Sequence, residues 1–310
     1  MQGQILTSAA RTFLVILPLI SVPLSNLWAG DFSTLFANAL MPPGMSEKMI
    51  SYLDPASQRC VAQVNRHFRY SAQEAYRLQK SLTINHSKRK SLQDILSAYP
   101  DGSRMESLRF AGYPVAPRAE FTVADLQLIV VKFPHLTFLD LSSEAITDAH
   151  LAPLKRLTQL ASLILNHTRV SNEGLVQLKE LPKLKHLNLA VTSVTGVGLE
   201  HLKDLPELVT LNLAQTTVTN NDLTHLKLFK QLTSLNLTGT AVGDAGLLHL
   251  LVHQQLTTLS LFQTEVTDDG LDILKHLNQL NTLELMLTNV TKPGVANLKL
   301  SKPKLKIFHR

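Results

Sequence analysis

The chain has 310 residues, of which 45% are hydrophobic, and this composition excludes global disorder. Its 30 basic and 24 acidic residues leave a net charge of +6, too small an excess for a polycation that binds nucleic acid by charge alone. A single cysteine, Cys60, excludes an intramolecular disulfide and a zinc site built from thiolates of this chain.

Residues 1–30 resemble an export signal in composition. Arg11 is followed by an apolar run over residues 13–24, which contains Pro18 and Pro23. The run is about a dozen residues long, whereas a membrane-spanning helix needs about 20. We therefore expect an exported or secreted protein. The alternatives are a membrane anchor formed by the apolar run and a helix buried in a core.

Residues 36–78 predict a small all-α segment of two amphipathic helices, separated by a Leu-Asp-Pro turn that ends at Pro55. This segment resembles the F-box, the module by which substrate receptors attach to Skp-type linkers of cullin ubiquitin ligases. It departs from the F-box in lacking the Leu-Pro-x-Glu opening. The resemblance implies a linker-binding surface made of Pro42, Pro43, Ile50, Leu53, Pro55, Val64 and Phe68. The alternative is a helical cap that shields the first repeat.

Residues 79–104 predict a helical linker, and the repeat region covers residues 105–310. Met105, Leu108 and Phe110 stand where leucines stand in later units, and residues 125–131 suit a helix. This first unit is predicted to be a degenerate capping repeat.

Seven units follow with a period of 24 residues and no gap. Leucine occupies the first, fourth and sixth places of every unit, and spacing by two predicts a short strand with one buried face. The units begin at Leu136, Leu160, Leu184, Leu208, Leu232, Leu256 and Leu280.

The second half of each unit predicts a turn and a short helix. Threonine at the ninth place can bond the backbone where the chain turns inward. Later segments such as 267–271 (Thr-Asp-Asp-Gly-Leu) place a capping side chain before apolar residues at helical spacing. Leu271, Leu274 and Leu277 form one such buried face. A final strand is expected around residues 304–307, one residue out of phase.

This pattern resembles the helix-backed leucine-rich repeats. The resemblance implies an α/β solenoid, with a parallel sheet on the concave face and helices on the convex side. The outward strand residues of such repeats form the partner-binding surface, and the fifth places and the apolar residues beside them are the candidates. These are Asp140, Ile164, Asn188, Asn212, Asn236, Ser260, Glu284, Phe262, Met286 and Leu287. Alternatively, the asparagines satisfy one another and the apolar residues lie under a terminal cap.

The sequence shows no nucleophile with a neighbouring base and acid, and no glycine-rich phosphate loop, so we expect no enzyme, cofactor or small-molecule substrate. Histidines that recur at the repeat period suit a solvated surface better than a metal site.

The combined pattern is similar to bacterial F-box and leucine-rich-repeat effectors. It predicts an adaptor whose solenoid holds a target protein while the F-box-like segment recruits a ubiquitin ligase. The alternative is an exported envelope or surface repeat protein without a ubiquitin role. A cationic surface that binds nucleic acid or membrane is disfavoured.

Overall fold

The computed structural model describes residues 81–85, 96–97, 99, 104–111, 121–142 and 145–309 of the chain. All of them belong to the unit Gln79–Arg310. The predicted export-like and F-box-like segments lie outside the described residues.

The described residues contain one parallel sheet of ten strands, arranged in chain order. The strands are β1 (Ser81–Asn85), β2 (Ser107–Ala111), β3 (Phe138–Asp140), β4 (Ser162–Ile164), β5 (His186–Asn188), β6 (Thr210–Asn212), β7 (Ser234–Asn236), β8 (Thr258–Ser260), β9 (Thr282–Glu284) and β10 (Lys306–Phe308). From β3 to β10, facing residues are one 24-residue period apart, as in Leu139 opposite Leu163. The predicted parallel sheet of a repeat solenoid is confirmed.

Helices connect the strands from β2 onward. The α-helices are Val123–Lys132, Asp148–Leu151, Asn172–Leu175, Gly196–Leu199, Asp244–Leu247, Asp268–Leu274 and Lys292–Ser301. Tighter 3-10 helices cover Ala152–Arg156, Val176–Glu180, Glu200–Leu202, Asn221–Leu228 and Leu248–Val252. Most α-helices are a single turn that continues as 3-10 helix. The 3-10 form advances further per residue and reaches the next strand within the short period.

Stacked leucines form the core between the sheet and the helices. The leucines at the first, fourth and sixth places of the seven units are at most 5% exposed. Leu271, Leu274 and Leu277 are likewise buried. Because each unit covers the leucines of its neighbour, the core is continuous along the solenoid.

The ninth-place threonines close each turn, as predicted. Each hydroxyl donates a hydrogen bond of 2.6–2.7 Å to the carbonyl three residues earlier. They are Thr168, Thr192, Thr216, Thr240, Thr264 and Thr288. This bond satisfies a carbonyl at the end of the strand, where the chain leaves the sheet.

The sheet starts earlier than the sequence indicated. Strand β1 lies within the segment 79–104, for which a helical linker was expected. Leu82 and Ile84 are buried and stand opposite Leu108 and Phe110 of β2. This offset is 26 residues, so the strand does not appear in a search for the 24-residue period.

The last strand is in phase with the others, contrary to expectation. Ile307 stands opposite Leu283, one full period away. Only the preceding leucine is displaced: Leu305, which is buried, fills the first-leucine place one residue late. The one-residue shift inferred from sequence therefore concerns the turn before the strand.

Acidic or amide side chains link the start of each helix to the next unit. Asp244 accepts hydrogen bonds from the backbone nitrogen and the hydroxyl of Thr267, at 2.9 and 2.6 Å. Asp148 and Asp268 bond the equivalent residue of the following unit in the same way. Asn172 accepts the N–H of Thr195 at 2.9 Å and donates from its amide nitrogen to the Thr195 hydroxyl oxygen at 2.9 Å. These inter-repeat caps tie the helix starts together along the solenoid.

Two neighbouring units depart from this arrangement. Gly196, in the unit that begins at Leu184, occupies the place of the capping residue, and Asp222, in the unit that begins at Leu208, occupies a place where five of the other units have glycine. Asp222 instead accepts hydrogen bonds from the nitrogen and hydroxyl of Thr219, both at 2.8 Å, within its own unit. A Cβ added to Gly196 would lie 2.0 Å from the Asp222 carboxylate. The two residues have therefore exchanged roles.

Candidate functional site

The concave face, defined here as the outward side of strands β3 to β10, carries all the predicted partner-binding residues. The fifth-place residues end the strands β3 to β9 and stand beside one another in register. Neighbouring strands are about 4.8 Å apart, so the column is nearly continuous along the sheet. Asp140 and Ser260 are almost covered, whereas the other fifth-place residues are partly exposed.

The three asparagines of the column have a structural role that the sequence did not reveal. The side-chain oxygens of Asn188, Asn212 and Asn236 accept the backbone N–H two residues ahead, at 2.9–3.0 Å. This Asx-type bond shapes the turn after the strand. Among the described residues, the only other side-chain hydrogen bond of these three asparagines runs from the Asn188 amide nitrogen to the Asn166 side-chain oxygen, at 3.4 Å. The amide nitrogens of Asn212 and Asn236 thus remain as donors for a ligand.

The N-terminal end of the concave face neutralises its own charges. The Asp140 carboxylate lies 3.2 Å from Nε of Arg109 and accepts the N–H of Ser142 at 3.0 Å. The Arg109 guanidinium also lies over the Phe138 ring, 5.3 Å from its centre. Asp140 and Phe138 both contact Arg109 of the same chain, so Asp140 offers little to a partner protein.

The C-terminal end of the concave face carries exposed apolar side chains. Phe262 and Met286 are partly exposed, and Leu287 is 68% exposed, so the terminal strand does not bury it. Beside them lies a hollow of about 200 Å³, lined in part by Ser260, Glu284 and Met286. Phe308 of β10 also lines the hollow. Phe308 was not among the predicted partner-binding residues, although it stands one 24-residue period after Glu284.

The eighth place of the six units from Leu160 onward turns the chain with a left-handed backbone. His167, Val191, Gln215, Gln263 and Leu287 have φ between 54° and 58°, and Gly239 has φ 64°. Residues other than glycine rarely adopt this conformation, and branched side chains least of all. The turn is held by the sheet ladder, in which the eighth-place N–H of Gln215 donates to the carbonyl of Thr238. This backbone conformation sets the direction in which the eighth-place side chains leave the chain at the edge of the concave face.

The shifted pKa values in the described part of the chain do not mark a catalytic centre. A hydrogen bond from Thr291 lowers the pKa of Asp268, and one from Ser171 lowers the pKa of Glu173. Partial burial lowers the pKa of Lys302, whose ammonium donates to the Leu277 carbonyl at 2.7 Å. No group of three or more His, Cys, Asp or Glu residues in the described part could hold a metal ion.

The other predicted site residues cannot be placed. The residues of the F-box-like surface, from Pro42 to Phe68, lie outside the described part of the chain. Among the residues that are described, no helix is long and apolar enough to cross a membrane.

Comparison with a known sequence family agrees with the repeat architecture. A sequence model of the family described as "Leucine Rich repeat" matches residues 231–251. The chain is similar to the crystal structure of an internalin (inlF) from Listeria monocytogenes, at 18% identity over 66% of this chain and 67% of that chain, with a TM-score of 0.48. It is also similar to an internalin C2 from the same organism, at 21% identity over 61% and 84%, with a TM-score of 0.40. No curated protein matches the chain in sequence.

Proposed function

We propose that this protein is a non-enzymatic binding protein that holds a partner protein on its concave face. The observation that carries the proposal is the set of apolar side chains, Phe262, Met286 and Leu287, on the side of the sheet that faces away from the leucine core. None of the three is fully buried, and they lie at the ends of neighbouring strands. Grouped apolar side chains on a surface are typical of protein interaction sites.

The rigidity of the concave face supports this function. Each strand is bonded to both neighbours from β2 to β9, and the threonine hydroxyls fix the turns that follow. A surface held in this way loses little conformational entropy when a partner binds. The amide donors of Asn212 and Asn236 add hydrogen bonds that orient the partner next to the apolar end.

A peptide selection tests which side of the solenoid binds. Random peptides displayed on phage are selected against the full chain, and enriched peptides are measured against two variants. Leu287→Ser removes a concave side chain that is 68% exposed, and Leu248→Ser removes a helix side chain that is 55% exposed. We expect Leu287→Ser to weaken binding at least about tenfold and Leu248→Ser to leave it unchanged. Loss of binding with Leu248→Ser alone would refute the proposal.

We further propose that the F-box-like segment recruits a Skp-type linker, so that the bound protein becomes a target for ubiquitination. The sequence features that support this role are the proline opening at Pro42 and Pro43, the Leu53-Asp-Pro55 turn and the apolar pair Val64 and Phe68. The solenoid would then select the target while the segment supplies the link to the ligase. This division of labour needs no catalytic group in the chain.

Calorimetry with a eukaryotic Skp-type linker tests the adaptor role. The full chain should bind the linker, and the double variant Leu53→Ala with Phe68→Ala should not. Leu287→Ser is the matched control, since it alters the concave face and should retain linker binding. If the folded double variant binds as well as the unaltered chain, the proposed linker surface is wrong.

The second candidate is an exported envelope or surface protein with the same binding face and no ubiquitin role. The apolar run over residues 13–24 favours it. This candidate predicts a mature N-terminus near Gly30 in fractionated cells, which N-terminal sequencing would detect. An intact Met1 throughout would count against export by cleavage.

A further inference from the structure

We propose that the C-terminal end of the concave face recognises a protein segment in which a basic side chain, Lys or Arg, stands next to an apolar one. The inference rests on the proposed function and specifies the partner of the same site. The recognition site is the acidic hollow, defined as the hollow lined by Ser260, Glu284, Met286 and Phe308.

A chain of hydrogen bonds fixes the carboxylate of Glu284. Ser260 donates from Oγ to Oε2 of Glu284 at 2.6 Å. The Ser260 oxygen lies 2.9 Å from the Thr238 hydroxyl, and because the serine proton is directed at the carboxylate, Thr238 is the donor of that bond. The carboxylate is thus held in one orientation at the mouth of the hollow, before any ligand arrives.

The charge of Glu284 is not neutralised by any residue in the described part of the chain. Among the described residues, Glu284 has no Lys, Arg or His nitrogen within ion-pair distance, although it is partly exposed. Asp140 provides the contrast: it occupies the same place in the first full unit and is paired with Arg109. Lys306 lies on the adjacent strand, but its register places it opposite Thr282 rather than Glu284.

Apolar side chains surround this carboxylate. Met286 lines the hollow, Phe308 is 53% exposed on the strand beside Glu284, and Leu287 follows Met286 on the rim. The long hydrocarbon stem of Lys or Arg can lie along such side chains while its charged end meets Glu284. An aromatic ring beside the cation adds a further attraction.

The combination excludes the other classes of protein segment. A purely apolar segment would cover Glu284 and leave a desolvated, unpaired charge, which is strongly unfavourable. An acidic segment would meet a carboxylate of the same sign. A basic side chain alone would leave Met286 and Leu287 uncovered. The surface therefore fits a basic residue with an apolar neighbour.

A charge-reversal selection tests this inference. A phage library carries Leu or Phe at a fixed position and all residues at the neighbouring positions, and it is selected against the full chain and against Glu284→Lys. We expect the unaltered protein to enrich Lys and Arg over Asp and Glu about tenfold at a neighbouring position, and Glu284→Lys to reverse that preference. Glu284→Gln, which keeps the side-chain size, should abolish the preference.

The outcomes separate this inference from the function on which it rests. One outcome overturns only the assignment of Glu284. In that outcome the peptides lose binding with Leu287→Ser, which shows that the concave face binds them, but the unaltered protein, Glu284→Lys and Glu284→Gln all select the same charges. If the peptides bind Leu287→Ser and Met286→Ser as well as the unaltered chain, both proposals fail. Circular dichroism of each variant confirms that the fold is retained.

Discussion

In the six repeats from Leu160 onward, the eighth place has a left-handed backbone, which strains every residue type except glycine, and Val191 suits it least. Its φ is 56°, in the left-handed region, where a β-branched side chain is crowded against its own backbone. Gly239 shows the residue type that the position tolerates without strain. The tertiary structure imposes this conformation through the ladder bond from the Val191 N–H to the Ala214 carbonyl.

Replacing Val191 should therefore relieve strain. We expect Val191→Asn to raise the free energy of unfolding by about 1 kcal/mol, because asparagine adopts the left-handed conformation more readily. Urea unfolding measures the change. The control is Val197→Asn, which replaces an exposed valine in the helix Gly196–Leu199 and should give no gain. An equal gain in both variants would mean that polarity, not backbone strain, is responsible.

His253 is a second residue that conflicts with its surroundings. It is 1% exposed, and neither ring nitrogen has a hydrogen-bond partner among the described residues. Desolvation lowers the pKa of His253, and the nearby backbone of Phe229 opposes this shift more weakly. Five of the other six units have Leu or Phe at this place, and the last unit has Ser301. The five are Leu157, Leu181, Leu205, Phe229 and Leu277.

Protonation of His253 should destabilise the fold in acid. The pKa of histidine in the unfolded chain is about 6.5, and in the folded chain that of His253 is lower. The unfolded state therefore binds a proton first, and stability is lost as the pH falls below about 6.5 towards the folded-state pKa. The slope from this one group cannot exceed about 1.4 kcal/mol per pH unit.

Leucine at position 253 should remove both effects. We expect His253→Leu to stabilise the protein by about 1–3 kcal/mol, since two unsatisfied buried polar atoms are replaced by the side chain common in this column. The dependence of unfolding on pH below 6.5 should also weaken, as measured by urea titrations at several pH values. His276→Leu, at an exposed position, is the control. A steeper pH dependence in His253→Leu would contradict this account.

At the scale of the structural elements, the exchanged pair Gly196 and Asp222 shows how neighbouring units depend on each other. Most units cap the helix of the next unit with Asp or Asn, and a glycine there leaves room for the capping side chain, as Gly270 does for Asp244. Gly196 removes this cap from one unit, and Asp222 of the next unit replaces it by accepting hydrogen bonds from Thr219 of its own repeat. Comparing residues 24 positions apart would have revealed this exchange from sequence.

Restoring the common arrangement requires both changes. Gly196→Asp alone should destabilise the protein because its Cβ would lie 2.0 Å from the Asp222 carboxylate. Asp222→Gly alone should cost about 1 kcal/mol through loss of the Thr219 cap. The double variant should recover most of the stability, giving a coupling energy of about 1 kcal/mol or more in a double-mutant cycle by urea unfolding. Additive losses would show that the two positions do not interact.

The 24-residue period was sufficient to predict the sheet and the core from β3 to β9. Every leucine in the repeated places is buried because a unit of this length can cover its apolar face only with its neighbours. The period could not reveal β1, whose partners are 26 residues away, and it misplaced the phase of β10 because Leu305 is displaced by one residue. The irregular ends of the solenoid are thus the part that sequence periodicity describes poorly.

At the scale of the whole molecule, the sequence predicts which residues lie on the concave face but not which of their charges are paired. The period identifies the residues that face outward, from Asp140 to Leu287. It does not show that Asp140 is neutralised by Arg109, nor that Glu284 has no such partner in the described part of the chain. These differences arise from side chains of neighbouring strands, and their pairing depends on three-dimensional contacts. The binding end of the surface becomes apparent only from the structure.

Photo-crosslinking tests whether partners bind on the concave face. A photoreactive benzoylphenylalanine is placed at Asn212 on β6, or at Val252 on the helix side, where the side chain is 60% exposed. Each protein is then irradiated with a selected peptide bound. The account predicts a covalent product from position 212 and none from position 252. Crosslinking from position 252 without any from position 212 would contradict it.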